Sequence, residues 1–168
     1  MVTRGMVIKI YVRNTSEVLN VEYIISLLSH KDSRIVANVI ESLNEVHFKS
    51  VINFVIKFLE SDIPRIRANT VILLYNYQKE RKDIYIRIDE VIKNMLNSNN
   101  EGMIRSGIYA IANCKDKNWF KLIKDKYVND ERKNIKRLWL FCLLMFKNFD
   151  QIEDVVNEIL SADFESVN

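Results

Sequence analysis

The side chains best suited to metal binding or nucleophilic chemistry are few and lie apart in the sequence. His30 and His47 are the only two histidines, and each lies next to a predicted helix end rather than at metal-ligand spacing from a carboxylate. Cys114 and Cys142, the only two cysteines, show neither CxxC spacing nor a nearby histidine. The chain also lacks HExxH, glycine-rich phosphate-loop and G-x-S-x-G motifs. These residues predict a protein that is not an enzyme, holds no metal or organic cofactor, and keeps its cysteines as buried free thiols.

The elements that would position any site are best seen in residues 58–74, FLESDIPRIRANTVILL. This stretch predicts the end of one helix, a tight turn and the start of a second helix. Asp62 is the predicted N-cap, because its carboxylate can accept hydrogen bonds from the unpaired amides of the first turn. Pro64 suits the first turn, since its backbone angle is already helical. The apolar face of the second helix is expected to contain Ile66, Thr70, Val71 and Leu74.

Weaker copies of this stretch recur on both sides of it. RIVAN at 34–38 matches RIRAN at 65–69, which is an offset of 31 residues. The next copy follows at an offset of 38 and the last at a further 31, so that four isoleucines correspond. They are Ile35, Ile66, Ile104 and Ile135. The longer step is explained by a charged insertion at 78–86, which is predicted to be a loop. Two-helix units at this period predict an α-solenoid, in which each hairpin is buried by its neighbours.

In this register the chain resembles the HEAT-repeat family, whose units place an Asp in the turn and an apolar residue followed by Arg at the start of the second helix. The matching residues are Asp62, Ile66, Arg67, Val71 and Leu74. The first unit departs from the pattern with Val36 in place of the Arg, and the third has Gly107 where a larger core residue is common. The resemblance implies an all-α fold: a right-handed α-solenoid of about four HEAT-like helical hairpins plus a C-terminal capping helix.

The register also predicts boundaries. Residues 1–16 form an N-terminal segment whose pattern does not decide between strand and helix, 17–161 form the repeat domain, and 162–168 form a tail. The predicted hairpins pair helices 21–29 with 33–46, 49–60 with 63–77, 87–97 with 101–113, and 118–128 with 131–147. The other predicted caps of second helices are Asp32 or Ser33, Asn99 or Asn100, and Asp130. An acidic amphipathic helix at 150–160 is expected to cover the end of the stack, since solenoids need a cap with a polar outer side.

The composition excludes several other classes of protein. With 48% hydrophobic and 28% charged residues, the chain has the composition of an ordinary soluble globular domain. The longest uninterrupted apolar run, residues 138–146, is far shorter than the roughly twenty residues that cross a bilayer. The apolar N-terminal run contains Lys9 and no small-residue cleavage site follows it. We therefore expect a cytoplasmic protein without a membrane segment.

A cation recurs at one repeat position, as Arg67, Arg105 and Lys136. The three could form a row that binds anions. In the HEAT family, however, this Arg commonly pairs with turn carboxylates, and Asp62 is available. The resemblance therefore favours a structural role for this position.

Second helices of a solenoid usually line its concave side, and the positions between core positions are expected to point there. Among them, Ala37 and Ala68 are the smallest. The candidate partner-binding residues are Glu41, Glu45, Ile72, Tyr75, Asn76, Lys79, Arg137, Phe141 and Met145. The helix at 131–147 is apolar almost all round, which leaves two interpretations open. Either the preceding pair and the terminal helix cover it, or Trp139, Phe141 and Met145 form a surface for a partner or a second copy.

Two functions follow from these observations. The first is a non-catalytic protein-protein interaction or scaffold module, a short array that suits part of a larger signalling or regulatory protein and binds a protein or peptide partner. The alternative is a nucleic-acid-binding protein like the HEAT-like DNA alkylpurine glycosylases, because residues 101–149 contain eleven basic and five acidic side chains. Residues 150–168, with six acidic side chains and no basic one, count against it. The two functions differ in whether these cations converge on the concave surface: Lys115, Lys117, Lys121, Lys124, Lys126, Arg132, Lys133, Lys136 and Arg137.

Overall fold

The computed structural model describes residues 21–43, 51–77, 81–127, 130–146 and 157. Every regular element in these ranges is helical, which confirms the predicted all-α class. The elements are α1 (Val21–Leu28), α2 (Ser33–Leu43), α3 (Ile52–Val55), a 3-10 helix (Ile56–Glu60), α4 (Pro64–Tyr75), α5 (Lys82–Leu96), α6 (Glu101–Cys114), α7 (Lys117–Tyr127) and α8 (Lys133–Phe146). None of the helices in the described ranges is long and apolar enough to cross a membrane. The predicted N-terminal segment, tail and capping helix lie outside these ranges, apart from the helical residue 157.

The chain divides into two compact units, residues 1–91 and 92–168, and the boundary falls within α5. In the first unit α2 packs on both α1 and α4, and α4 also packs on the 3-10 helix. In the second unit α6 packs mainly on α8, and α7 contacts both. Second helices of successive predicted hairpins therefore pack side by side within each unit.

The four corresponding isoleucines occupy equivalent places, as their spacing predicts. Each is the third or fourth residue of its helix, in α2, α4, α6 and α8, and each is buried. The last turns show the same register, with Leu43, Leu74, Ala112 and Leu143 all fully buried. Residues that are 31 or 38 positions apart in the predicted register are thus buried alike.

Two of the four predicted caps of second helices, Asp32 and Asn100, lie at helix starts. The carboxylate of Asp32 accepts a hydrogen bond from the Arg34 amide at 2.9 Å, and the Arg34 guanidinium holds the pKa of Asp32 down to about 2. The side chain of Asn100 accepts from the Gly102 amide at 2.8 Å. Asp116, which the sequence did not single out, caps α7 by accepting from the Asn118 amide at 2.8 Å. Carboxylate and amide caps thus fix three of the starts.

The prediction that Asp62 caps α4 is wrong. The helix begins at Pro64, one residue after the predicted start, and its N-cap is Ile63, which has an extended backbone. A proline disfavours the helical conformation in the residue before it, so Ile63 becomes the boundary and Asp62 lies one residue too early. Ser61 Oγ accepts from the Ile63 amide at 3.2 Å instead. Asp130 likewise precedes the start of α8 at Lys133, two residues later than predicted, and accepts from Arg132 rather than from the helix amides.

The part of the charged insertion from residue 82 onwards is helical rather than a loop. Residues 78–80 lie outside the described ranges, but α5 begins at Lys82, five residues before the predicted start. Ile84, Ile88 and Ile92 are fully buried and four residues apart, so the apolar stripe of α5 extends back into the insertion. Burial of this stripe favours helix despite the charged neighbours.

Gly107 has a packing role that explains its departure from the repeat pattern. A Cβ atom there would lie 3.2 Å from Met95 Cβ and 3.4 Å from Leu96 Cδ2. A larger core residue would therefore push α6 away from the end of α5.

Polar bonds join helices that are about 30 residues apart in the sequence. In the first unit, the Arg65 guanidinium donates to Asn38 Oδ1 at 2.8 Å, and the buried Asn69 Nδ2 donates to the Ala37 carbonyl at 3.0 Å. In the second, the buried Tyr127 hydroxyl donates to the Leu96 carbonyl at 2.6 Å. These partners are 27, 32 and 31 residues apart, which is close to the offset of 31 residues in the sequence.

Candidate functional site

The exposed face of α8 is the main candidate surface. Phe141 and Leu144 have 38% and 49% of their surface exposed, which is high for large apolar side chains. Arg137 is also exposed and lies four residues before Phe141, so the three share one helix face. Met145, the last predicted member of this group, is half-buried. The face is basic towards its N-terminal end and apolar towards its C-terminal end.

The opposite side of α8 is firmly packed. Trp139 is 1% exposed and stacks on Phe120 of α7 with 5.6 Å between ring centroids. Phe120 also stacks on Phe146 at 4.4 Å. The expectation that Trp139 contributes to a partner surface is therefore wrong, because its ring is part of the α7–α8 packing. This packing holds the exposed face of α8 in a fixed orientation.

The candidate residues of the first unit have partners within that unit. Glu41 forms an ion pair with Arg65 of α4 at 2.9 Å, and Tyr75 lies near Tyr85 with 6.4 Å between ring centroids. Ile72 is half-buried and Asn76 is exposed just after α4. Glu45 and Lys79 lie outside the described residues. This group is more polar than the face of α8, and Glu41 and Tyr75 already contact residues of their own unit.

Ala37 and Ala68 do not face solvent as predicted, because each is 1% exposed. Ala37 lies on α2 where this helix packs on α4, and its carbonyl receives the bond from Asn69. Small side chains allow close approach of the two helices, so these positions belong to the packing between repeats.

Arg67 does not form the predicted pair with the turn carboxylate of Asp62. Arg67 Nε donates to the Ser61 carbonyl at 2.7 Å rather than to Asp62. The Arg67 side chain thus stabilises the turn that precedes its own helix. This is the structural role that the resemblance favours, but the acceptor is a backbone carbonyl instead of a carboxylate. Arg105 is exposed and Lys136 is half-buried, so the three cations do not share one environment.

The nine cations named in the sequence analysis fall into three groups and one separate lysine. Lys117, Lys121 and Lys124 follow one another at helical spacing along one face of α7. Lys126 and Arg132 lie near the turn that precedes α6. Lys133, Lys136 and Arg137 belong to α8, and Lys115 ends α6 in a left-handed conformation with φ of 55°. The α7 row and the α8 set each place three cations on one helix face.

The described histidine and cysteine side chains, which could bind a metal or act as nucleophiles, have structural roles or are at least partly buried. His30 Nδ1 accepts from the Asp32 amide at 2.9 Å, while His47 lies outside the described ranges. Burial raises the pKa of the Cys142 thiol to about 12, and burial followed by the charge of Asp116 raises that of Cys114. Both cysteines are free, and as protonated thiols they are poor nucleophiles at neutral pH. Among the described residues, no group of three or more His, Cys, Asp and Glu side chains could hold a metal ion.

Comparisons of the chain with known proteins identify no related protein. No family model, curated protein or solved structure matches it. Functional inference therefore rests on the residues and contacts described above.

Proposed function

We propose that the chain is a short right-handed α-solenoid of about four HEAT-like hairpins, closed by a capping helix at 150–160, and that it is a non-catalytic protein-interaction module. The solenoid is supported by side-by-side packing of second helices and by polar bonds between residues 27 to 32 positions apart. Such bonds are expected where each hairpin contacts only its neighbours.

The exposed apolar face of α8 is the observation that supports an interaction function. At the corresponding place of α6, 31 residues before Phe141, Ala110 is fully buried. Phe141 is instead 38% exposed, so the position in α8 lacks the cover that it has in α6. A large aromatic side chain held on a rigid helix is a suitable anchor for a partner, because aromatic residues dominate binding hot spots. We infer a protein or peptide partner with an apolar side chain for Phe141 and Leu144 and an acidic group for Arg137.

A capture experiment with matched variants tests this function. Tagged wild-type chain and Phe141→Ala are incubated with extract of the source cells, and retained proteins are quantified. We expect one partner to be retained by the wild type and lost, by more than about tenfold, with Phe141→Ala, because removal of a hot-spot anchor costs about 2 kcal/mol or more. Leu122→Ala is the control, since Leu122 is also exposed, at 40%, but lies on α7. Equal retention by all three proteins would remove the α8 face from consideration.

A second candidate function, binding of nucleic acid, is favoured by the lysine row of α7. Lys117, Lys121 and Lys124 make no ion pair with a residue in the described ranges, so their charges are available to phosphates. Three neutralised phosphates give a slope of about −2.7 for the logarithm of affinity against the logarithm of salt concentration. We expect at most weak, sequence-independent binding to duplex DNA, falling roughly 40-fold between about 50 and 200 mM salt.

Fluorescence anisotropy with labelled duplex measures this dependence. Replacement of the three α7 lysines by glutamine should abolish both the binding and its salt dependence. Replacement of Lys31, Lys57 and Lys82, which lie on separate elements of the first unit, changes the net charge equally and should have little effect. Submicromolar binding that persists at physiological salt would make nucleic acid the preferred partner.

A further inference from the structure

The second unit contains a polar cleft that the proposed interaction function does not use. Its volume is about 380 Å³, and it lies between the turn 97–100 and the residues that flank the start of α8. Leu96 and Ile104 supply apolar lining. The polar lining consists of Asn97, Ser98, Asn99, Lys126, Asp130 and Arg132. This volume falls within the range of about 300 to 1,000 Å³ that is typical of small-molecule sites.

Several hydrogen-bond acceptors around the cleft already have donors. Both oxygens of Asp130 accept from the Arg132 side chain, at 2.9 and 2.6 Å. The Leu96 carbonyl accepts from Lys126 Nζ at 3.0 Å and from the Tyr127 hydroxyl at 2.6 Å. Asn97 Oδ1 accepts from Lys126 Nζ as well. The cleft therefore offers few free acceptors to a ligand.

Two further acceptors near the cleft are also occupied. Ser98 Oγ accepts from the Asn100 amide at 3.1 Å. Glu101, whose charge acts on Arg132, accepts from Asn134 Nδ2 at 3.3 Å. The carboxylates that could repel an anion are thus tied to donors of the protein.

Several donors of the same cleft are unused by the described residues. Lys126 Nζ has three protons and makes two hydrogen bonds, which leaves one proton. The Arg132 guanidinium bonds Asp130 through Nε and Nη2, which leaves Nη1. The side-chain amides of Asn97 and Asn99 and the Ser98 hydroxyl proton add neutral donors. Two cations and three neutral donors therefore surround a space in which the carboxylate of Asp130 and the Leu96 carbonyl already have donors.

We propose that this cleft binds the oxyanionic group of a small ligand, a phosphate or a carboxylate, between Lys126, Arg132 and the turn 97–99. An excess of donors is complementary to a group that only accepts hydrogen bonds, and bonds to charged donors are about twice as strong as neutral ones. The space beyond one such group, lined by Leu96 and Ile104, suits an apolar part of the same ligand. The inference is independent of the α8 face.

Titration of the ¹⁵N-labelled full chain with sodium phosphate tests the site, with sodium chloride at equal ionic strength as reference. We expect saturable shifts of the Ser98, Asn99 and Asn100 amide signals and of the Arg132 Nε signal, with a dissociation constant in the millimolar range. The same titration with sodium acetate distinguishes the two ligand chemistries. A tighter constant for phosphate identifies a phosphorylated ligand, and a tighter constant for acetate identifies a carboxylate.

Three variants locate the binding. Asn99→Asp is nearly isosteric, and Asn99 is an exposed residue of the turn, so the substitution adds a negative charge to the cleft with little change in packing. It should weaken binding about tenfold or more, as should Arg132→Gln. Lys121→Gln, which removes the same charge as Arg132→Gln from a lysine outside the cleft, should change the constant less than about twofold. Shifts that do not saturate, that map to α7 alone, or that survive Asn99→Asp would overturn the proposal.

Discussion

Replacement of Leu74 by alanine is expected to lower the free energy of unfolding by about 2 to 5 kcal/mol, because it removes a fully buried side chain and leaves a cavity. Leu74 lies in the last turn of α4, and this helix packs on both α2 and the 3-10 helix. Partial collapse around the missing atoms would place the loss at the lower end of the range. Urea unfolding followed by circular dichroism measures it.

Ile63→Ala is the control for this prediction. Ile63 is 41% exposed at the N-cap of the same helix, and its truncation should cost less than about 0.5 kcal/mol. Leu143, which is fully buried in the corresponding turn of α8, should behave like Leu74 when it is replaced by alanine. A loss below about 1 kcal/mol for both leucines would show that these last turns do not form a well-packed core.

The repeat register could be predicted because burial itself creates the pattern. Ile35, Ile66, Ile104 and Ile135 are buried at the same point of alternate helices, and this requirement for burial fixes both their type and their spacing. The caps at Asp32 and Asn100 were predictable for a similar reason, since few residue types can satisfy the free amides of a helix start.

Contacts between side chains that are distant in sequence could not be predicted in this way. Asn69 looks like a surface residue by type, yet it is buried and donates to a carbonyl 32 residues earlier. Nothing in local sequence specifies that distance, because it depends on how closely α2 and α4 approach. The displaced cap at Asp62 is different, since the effect of Pro64 on Ile63 is local and could have been included in the prediction.

The face of α8 was ambiguous because its sequence is apolar almost all round. Periodicity identifies a buried side only where polar residues mark the other side. The sequence therefore grouped Trp139 with Phe141, although the structure buries the first and exposes the second. The burial of Trp139 depends on its stacking on Phe120 of another helix, and this contact cannot be read from the sequence of α8.

Alanine substitutions of Trp139 and Phe141 are expected to differ strongly in their effect on stability. Trp139→Ala should cost about 3 to 5 kcal/mol, because it removes a buried ring that stacks on Phe120. Phe141→Ala, two residues further along α8, should cost less than about 1 kcal/mol, because its ring is 38% exposed. The measurement is again urea unfolding, and the small cost of Phe141→Ala is also what makes that variant suitable for the capture experiment.

Trp139→Phe separates the contribution of the ring from that of its polar group. The indole Nε1 is buried and has no hydrogen-bond acceptor among the described residues, which costs about 1 to 3 kcal/mol in the folded state. Phenylalanine removes this unpaired donor and keeps a stacked ring, but it leaves a small cavity that costs a similar amount. The two effects should nearly cancel, so Trp139→Phe is expected to lie within about 1.5 kcal/mol of wild type and to be more stable than Trp139→Ala by at least about 1.5 kcal/mol. If phenylalanine destabilises the chain as much as alanine does, the ring stack is not what makes Trp139 important.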